Sequence, residues 1–403
     1  MSPSTHADPR TDDSPTGIGV LAAARLLCLA AGTFVISTGA YVMAGLLPVV
    51  QAELDISVGA VGRLSFAYAV AYALWAPVCG VLTRRWDRRW VLFAGMALFV
   101  GGTLVTVTAG SYGGMMAARV VAGAGAGMFT PAASAAAVAV VPPAWQARAV
   151  ACIIGGLAAA TVLAVPIASV VGRWAGFRPV LSGIAALGAV IGVALWSLPR
   201  IQASRASGSR TDLAPPAGVV AVLLTVSCLV SVADFAVYTY VSPLLSWMRA
   251  GDAGAIGGLL FLYGCAGVVG NVVGGQLADR WGTRRTVILS LALIVLSTVA
   301  MPWAKSLLVI CLVIALWGIS GWMVVPALQS QLMRLRPDAP GVLAAMNASA
   351  IYTGLALGSL LGGFVISAGS VSWLGPFSGA VAAMTLIVYS MLPRASVTGA
   401  RKS

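Results

Sequence analysis

Charge is scarce in this chain. Only 9% of its 403 residues are Asp, Glu, Lys or Arg, against about a quarter in an ordinary soluble domain, which leaves too little polar surface to cover a water-soluble globule. Acid is scarcer still. Of eleven acidic residues, Asp8, Asp12 and Asp13 sit in a polar N-terminal tail, and Glu53, Asp55, Asp87, Asp212, Asp252, Asp279 and Asp338 fall in or beside breaks in the hydrophobic pattern. Asp234 alone lies well inside an apolar run. The single histidine, His6, is in the tail, where an isolated imidazole is simply solvated. Six cysteines, Cys28, Cys79, Cys152, Cys228, Cys265 and Cys311, are dispersed through apolar stretches without a C-x-x-C pair, an arrangement that fits neither a disulfide frame nor a metal cage. Catalysis needs acids, bases, nucleophiles or metal ligands that converge. With so few side chains able to supply them, no enzyme activity, metal or cofactor is expected.

What the chain has in quantity is apolar length. Hydrophobic residues make up 60% of it and the mean hydropathy is +0.97. A spanning helix takes about 20 residues, so the sequence predicts an all-α membrane protein with twelve transmembrane helices, embedded in a lipid bilayer. A formal charge of +13 would suggest nucleic acid as partner for a soluble protein. Here the positive residues are confined to short turns between apolar runs, so orientation in the bilayer accounts for them and no nucleic-acid partner is expected. Eighteen of the 24 Lys and Arg residues fall in alternate segments beginning with the N-terminus, five in the opposite set, and Arg119 inside a predicted helix. Both termini are therefore expected in the cytoplasm.

The chain also repeats itself. Gly275 to Arg285 reads Gly-Gln-Leu-Ala-Asp-Arg-Trp-Gly-Thr-Arg-Arg, and 195 residues earlier Gly80, Leu82, Arg85, Trp86 and Arg89 repeat Gly275, Leu277, Arg280, Trp281 and Arg284. Two related six-helix halves follow from this spacing. The expected division is a disordered cytoplasmic tail over 1–17, an N-terminal half over 18–198 and a linker over 199–216 rich in Arg, Ser and Pro. A C-terminal half over 217–392 and a cytoplasmic tail over 393–403 complete it.

A basic turn of this kind, once per half, resembles the loops between helices 2 and 3 and between helices 8 and 9 of the major facilitator superfamily of transporters. The second copy fits the G-x-L-A-D-R-x-G-x-R pattern at every defined position; the first has Arg84 at the acidic position and Asp87 at the second glycine. Other stretches are similar to the efflux branch of that family: Gly39 to Pro48 in helix 1, Arg119 followed four residues later by Gly123 in helix 4, Pro166 in helix 5, and Gly354, Gly358 and Gly362 in helix 11. The resemblance implies two pseudo-symmetric halves around a central cavity, alternating access by rocking of the halves, and a monomer in the bacterial cytoplasmic membrane. It implies efflux of a small molecule by proton antiport, as in bacterial exporters of chloramphenicol-like drugs, sugars and purine nucleosides. It also assigns conformational gating to Gly80, Arg84, Arg85, Asp87, Gly275, Asp279, Arg280, Arg284 and Pro166. Relatives use the carboxylate at the position of Asp279 to lock one face of their half. Arg84 stands at the matching place in the first half, so the two locks are expected to differ in strength.

Within helix 7, Ser227, Ser231, Asp234 and Tyr238 follow spacings of 4, 3 and 4 and share one face. A carboxylate there must be hydrated, paired or protonated, because burial disfavours its charged form. Three roles stay open for Asp234: reversible proton carrier, permanently protonated hydrogen-bonding group, or ligand of cationic cargo. Arg119 is either functional, expected with Asp234 in proton coupling, or snorkels to the nearby outer boundary. Tyr41, Tyr68, Tyr238, Tyr263, Trp317 and Asn347 are the expected substrate-lining residues. For Trp317 and Trp322 plain packing is the alternative, and for Asn347 a hydrogen bond within the bundle. An aromatic, largely neutral lining with one acid suits neutral or weakly cationic amphipathic cargo.

Overall fold

A computed structural model of the chain describes residues 19–83, 86–142, 145–201, 217–248, 253–335 and 340–392. The expected tails, most of the linker, and Arg84 and Arg85 lie outside these. Among the described residues every regular element is helical. This is what a bilayer demands, since helices pair their own backbone groups where water cannot.

Twelve helices are long and apolar enough to cross a membrane. They are α1 (Val20–Leu54), α2 (Val58–Gly80), α3 (Arg88–Thr108), α4 (Tyr112–Ala139), α5 (Arg148–Ala175), α6 (Phe177–Ser197), α7 (Gly218–Tyr238), α8 (Gly254–Arg280), α9 (Thr283–Trp303), α10 (Leu307–Leu335), α11 (Val342–Ala368) and α12 (Val371–Ser390). The protein is thus a multi-pass membrane protein. We call the side on which α1 begins and α12 ends the terminal face, and the other the far face.

The packing repeats. In the first six helices α1 packs on α5, α2 on α4, and α3 on α4 and α6; in the last six α7 packs on α11, α8 on α10, and α9 on α10 and α12. Small residues set the spacing. A Cβ at Gly123 of α4 would run into the Tyr68 carbonyl of α2, and one at Gly354 of α11 into the Cys228 carbonyl of α7, the close backbone approach by which membrane helices associate. Between the two sets, α2 lies along α11 and α5 along α8.

Two helices depart from the regular geometry that their sequences predict. Helix 7, expected unbroken over roughly 217–246, stops at Tyr238 and resumes as a short helix, Val241–Trp247. Pro243 lacks the N–H that would bond the Thr239 carbonyl, and the chain breaks there. Instead the Thr239 hydroxyl pairs with the Ser359 hydroxyl at 2.8 Å, and the Tyr240 hydroxyl donates to the Ser359 carbonyl. In α5 the residues Ala160–Ala164 form a π turn, closed by the Val165 N–H on the Ala160 carbonyl. Pro166 follows at once and removes the next donor, so the wider turn has a local cause. Gly156, Ala160, Ala164, Ala168 and Gly172, which their spacing of four would set on one face of a regular helix, therefore do not form one straight stripe.

The repeated turns tie each half together on the terminal face. Asp87 caps α3 by accepting from the Arg89 N–H at 3.0 Å and also accepts from the Ile201 N–H at 3.1 Å, while the Arg88 N–H donates to the Ile201 carbonyl. Arg89 reaches the Leu198 carbonyl just past α6. At the matching place in the second half, Arg284 donates to the Ser390 and Leu392 carbonyls at the end of α12. One arginine per half binds the start of the third helix to the end of the sixth.

Candidate transport site

All six residues expected to line a pathway, Tyr41, Tyr68, Tyr238, Tyr263, Trp317 and Asn347, are buried in the bundle. Four of them form one cluster. Tyr263 of α8 and Trp317 of α10 lie 4.4 Å apart between centroids, Tyr238 of α7 is 5.2 Å from Tyr263 and 6.3 Å from Trp317. Tyr41 of α1 meets Tyr238 edge-on at 6.0 Å and stacks on Phe235 at 5.8 Å. The stack joins the first half to the second. A small cleft between the halves opens beside it, lined by Tyr41, Ser65, Phe235, Tyr238, Thr239 and Leu355.

Asp234 sits at the edge of this cluster, four residues or about 6 Å from the end of the regular part of α7. It is half-buried. The Tyr263 hydroxyl donates to its Oδ2 at 3.3 Å. Its Oδ1 is shielded and has no hydrogen-bond partner, and neither has Nε1 of Trp317. The helix opposite makes room: a Cβ at Gly321 would stand 3.1 Å from that Oδ1. The indole stands close enough to act on the Asp234 carboxylate, yet neither Oδ1 nor Nε1 completes a hydrogen bond, a cost in the interior that a ligand, a proton or a small shift of the two side chains would relieve.

Arg119 stands in the other half and does not snorkel. Only 2% exposed, it donates from Nη2 to the Gly39 carbonyl at 3.0 Å and from Nε to the Leu64 carbonyl at 3.3 Å. Its guanidinium lies 4.4 Å over the Tyr68 ring. Tyr68 in turn donates to the Ile36 carbonyl, so it belongs to a knot of α1, α2 and α4 rather than to the ring cluster. Asn347 also stands apart: it is buried on α11 with Oδ1 unpartnered, seven residues or about 10 Å toward the terminal face from Gly354.

Trp317 is wholly buried with Tyr238 and Tyr263 against it, while Trp322 is half-buried and lies against Gly267. Asp279 and Arg280 are exposed, and the Asp279 carboxylate forms no hydrogen bond or ion pair among the described residues. Gly80 and Gly275 both have open space where a Cβ would be.

Three features escaped the sequence. Phe235 joins the cluster although only its neighbour Asp234 stood out. Tyr72 of α2 and Tyr352 of α11 stack across the halves at 3.4 Å and 12°, a pairing of residues far apart in sequence that no spacing within one helix reveals. Tyr240 was hidden because helix 7 read as continuous; Pro243 was the available signal.

The family profile of the Major Facilitator Superfamily matches residues 29–350 and again 226–403. Among curated proteins the chain is 36% identical over 377 residues to Inner membrane transport protein YdhP of Escherichia coli, covering 92% of this chain and 96% of that protein. It is 31% identical to the Uncharacterized MFS-type transporter YtbD of Bacillus subtilis, over 87% and 91% of the two chains. Among solved structures it superposes on a bacterial homolog of the human lysosomal transporter Spinster, in an inward-facing and unoccupied conformation. The TM-score there is 0.73 at 15% identity, over 95% and 97% of the two chains. The human organic anion transporter MFSD10 gives 0.67 at 17% identity, over 92% and 98%. The fold, the repeated turn and these matches agree, and the chain belongs to the major facilitator superfamily.

Proposed function

We propose that the protein exports a small amphipathic molecule, a drug, antibiotic or metabolite, from a bacterial cytoplasm in exchange for protons. The carrying observation is Asp234, the only acid well within a span, placed beside Tyr238, Tyr263 and Trp317 with Oδ1 unspent. Cargo lies against the rings in one half-cycle; the carboxylate takes a proton in the other. One charge crossing 100 mV carries about 2.3 kcal/mol, roughly a 50-fold concentration ratio, so a single titrating carboxylate suffices. Both termini lie in the cytoplasm in this reading, the protein works as a monomer, and the repeated turns act as gates on the cytoplasmic side.

The test is proton efflux from energised inside-out vesicles on addition of phenicols, nucleosides, sugars and lipophilic cations, with Asp234→Asn beside the natural protein. A cargo-dependent signal lost in the variant supports antiport through Asp234. Uphill transport undiminished in Asp234→Asn sinks the role of that residue. Transport that survives collapse of the proton gradient favours a facilitator or importer in which the bond from Tyr263 marks Asp234 as a structural or cargo-binding group.

A further inference from the structure

On the terminal face, Arg89 is held in an aromatic cleft that opens toward the surrounding bilayer. Its guanidinium lies 4.9 Å from the Trp196 ring and 5.7 Å from the Trp90 ring. Those two rings meet edge-on at 5.5 Å, and Phe93 closes the cleft one turn further into the membrane. Trp90 and Trp196 nevertheless keep 49% and 54% of their surface exposed. Ring stacking uses the faces of a guanidinium and leaves its in-plane N–H donors free. Arg89 spends one of them on a protein side-chain-to-backbone bond, to the Leu198 carbonyl at 3.4 Å.

The charge around the cleft is unbalanced. Arg88 is bound through its backbone to Ile201, and Arg200, the residue before it, is exposed. Asp87, the one acid of this turn, spends Oδ1 on the N–H groups of Arg89 and Ile201. None of the three arginines forms an ion pair among the described residues.

The second half does the same mechanical job without the cleft. Arg284 ties α9 to the end of α12, yet the residues 195 positions after Trp90 and Trp196 are Arg285 and Met391. The fold does not need the aromatic walls. Basic pockets between helices at head-group level are where anionic lipids bind, and tryptophan bodies favour the same depth. We propose that the cleft between α3 and α6 binds the head group of an anionic phospholipid. Arg89 and Arg200 take the phosphate, and the rings of Trp90, Trp196 and Phe93 take the first part of an acyl chain.

The test is thermal unfolding of the purified full chain in neutral micelles. It is titrated with phosphatidylglycerol, with phosphatidylcholine of the same chains, and with inorganic phosphate. Phosphatidylglycerol is expected to raise the midpoint saturably and the other two not to. Arg200→Gln should weaken that response about fivefold, the share of one arginine near anionic lipid. Trp90→Leu with Trp196→Leu should weaken it while sparing the Leu198 bond. Arg284→Gln, which cuts the equivalent tie, should lower the midpoint but leave the lipid response intact. An equal response to phosphatidylcholine, or one unchanged in Arg200→Gln, overturns the site; a response to phosphate alone overturns the lipid as its ligand. Arg200 is exposed, so its variant stays informative even where the tryptophan pair fails to fold.

Discussion

The hydroxyl of Tyr240 fills the space that a Cβ at Gly62 would occupy. Tyr240 is fully buried at the break in α7, Gly62 belongs to α2 of the other half, and the Cα of Gly59 would stand 3.3 Å from a Cβ at Gly363 of α11. Here the halves meet on the far face backbone to backbone. Gly62→Val is expected to cost about 1–3 kcal/mol through overpacking. Tyr240→Ala in the same chain should recover part of that loss. Thermal midpoints of the two single variants and the pair check it. Strictly additive losses would mean that Tyr240 and Gly62 do not share this space.

The bond from Tyr263 to Asp234 sets a graded expectation. Tyr263→Phe deletes one neutral donor, worth about 1 kcal/mol, and transport should fall several-fold while remaining proton-dependent. Asp234→Asn should abolish accumulation against a gradient and leave exchange of cargo intact. Initial rates in vesicles, with and without an imposed proton gradient, separate the two. Equal behaviour of both variants would argue that Asp234 acts only as the partner of Tyr263.

Arg119 is held by geometry that a lysine does not reproduce, because one planar fork reaches carbonyls on two helices and lies over a ring. Arg119→Lys is expected to lower stability by about 2 kcal/mol. Unfolding in mild detergent reports it. A midpoint equal to that of the natural protein would show that charge alone, not the fork, is what α4 needs.

Pro166→Ala returns the missing N–H to α5. The wide turn at Ala160–Ala164 should then tighten, so the amides after Val162 exchange hydrogen more slowly. Gly264 of α8 meets α5 at Val162, and transport should drop as that contact shifts. An unchanged exchange pattern would locate the cause of the wide turn outside Pro166.

The parts of the fold that could be read from sequence are those written within a single helix. Apolar length gave twelve spans, and the turn repeated at 195 residues announced the duplication that the packing of α1–α5 and α7–α11 repeats. The 4-3-4 spacing through Asp234 also placed that residue on the face where Tyr238 stands. What escaped depends on two helices at once. Whether Tyr68 faces a cavity or the α1 backbone is decided by Ile36, and the Tyr72–Tyr352 stack by the rotation of α2 against α11. Asn347 looked equivalent to the tyrosines because sequence gives depth along a helix without giving its neighbours. Arg119 appeared close enough to the boundary to reach it, and only the carbonyls of Gly39 and Leu64 explain why it turns inward.

The ties at Asp87, Arg88 and Arg89 bear on the connection between the halves. The chain leaves the first half at Ile201, the residue those ties hold, and enters the second at α7. Any tension in the connecting segment is therefore delivered straight to the turn between α2 and α3 and not dissipated along a free end. The turn between α2 and α3 is the joint at which such a load enters the described fold. Shortening the connecting segment should load that joint first, and the rate of switching between the two faces should respond to its length before the stability of either half does.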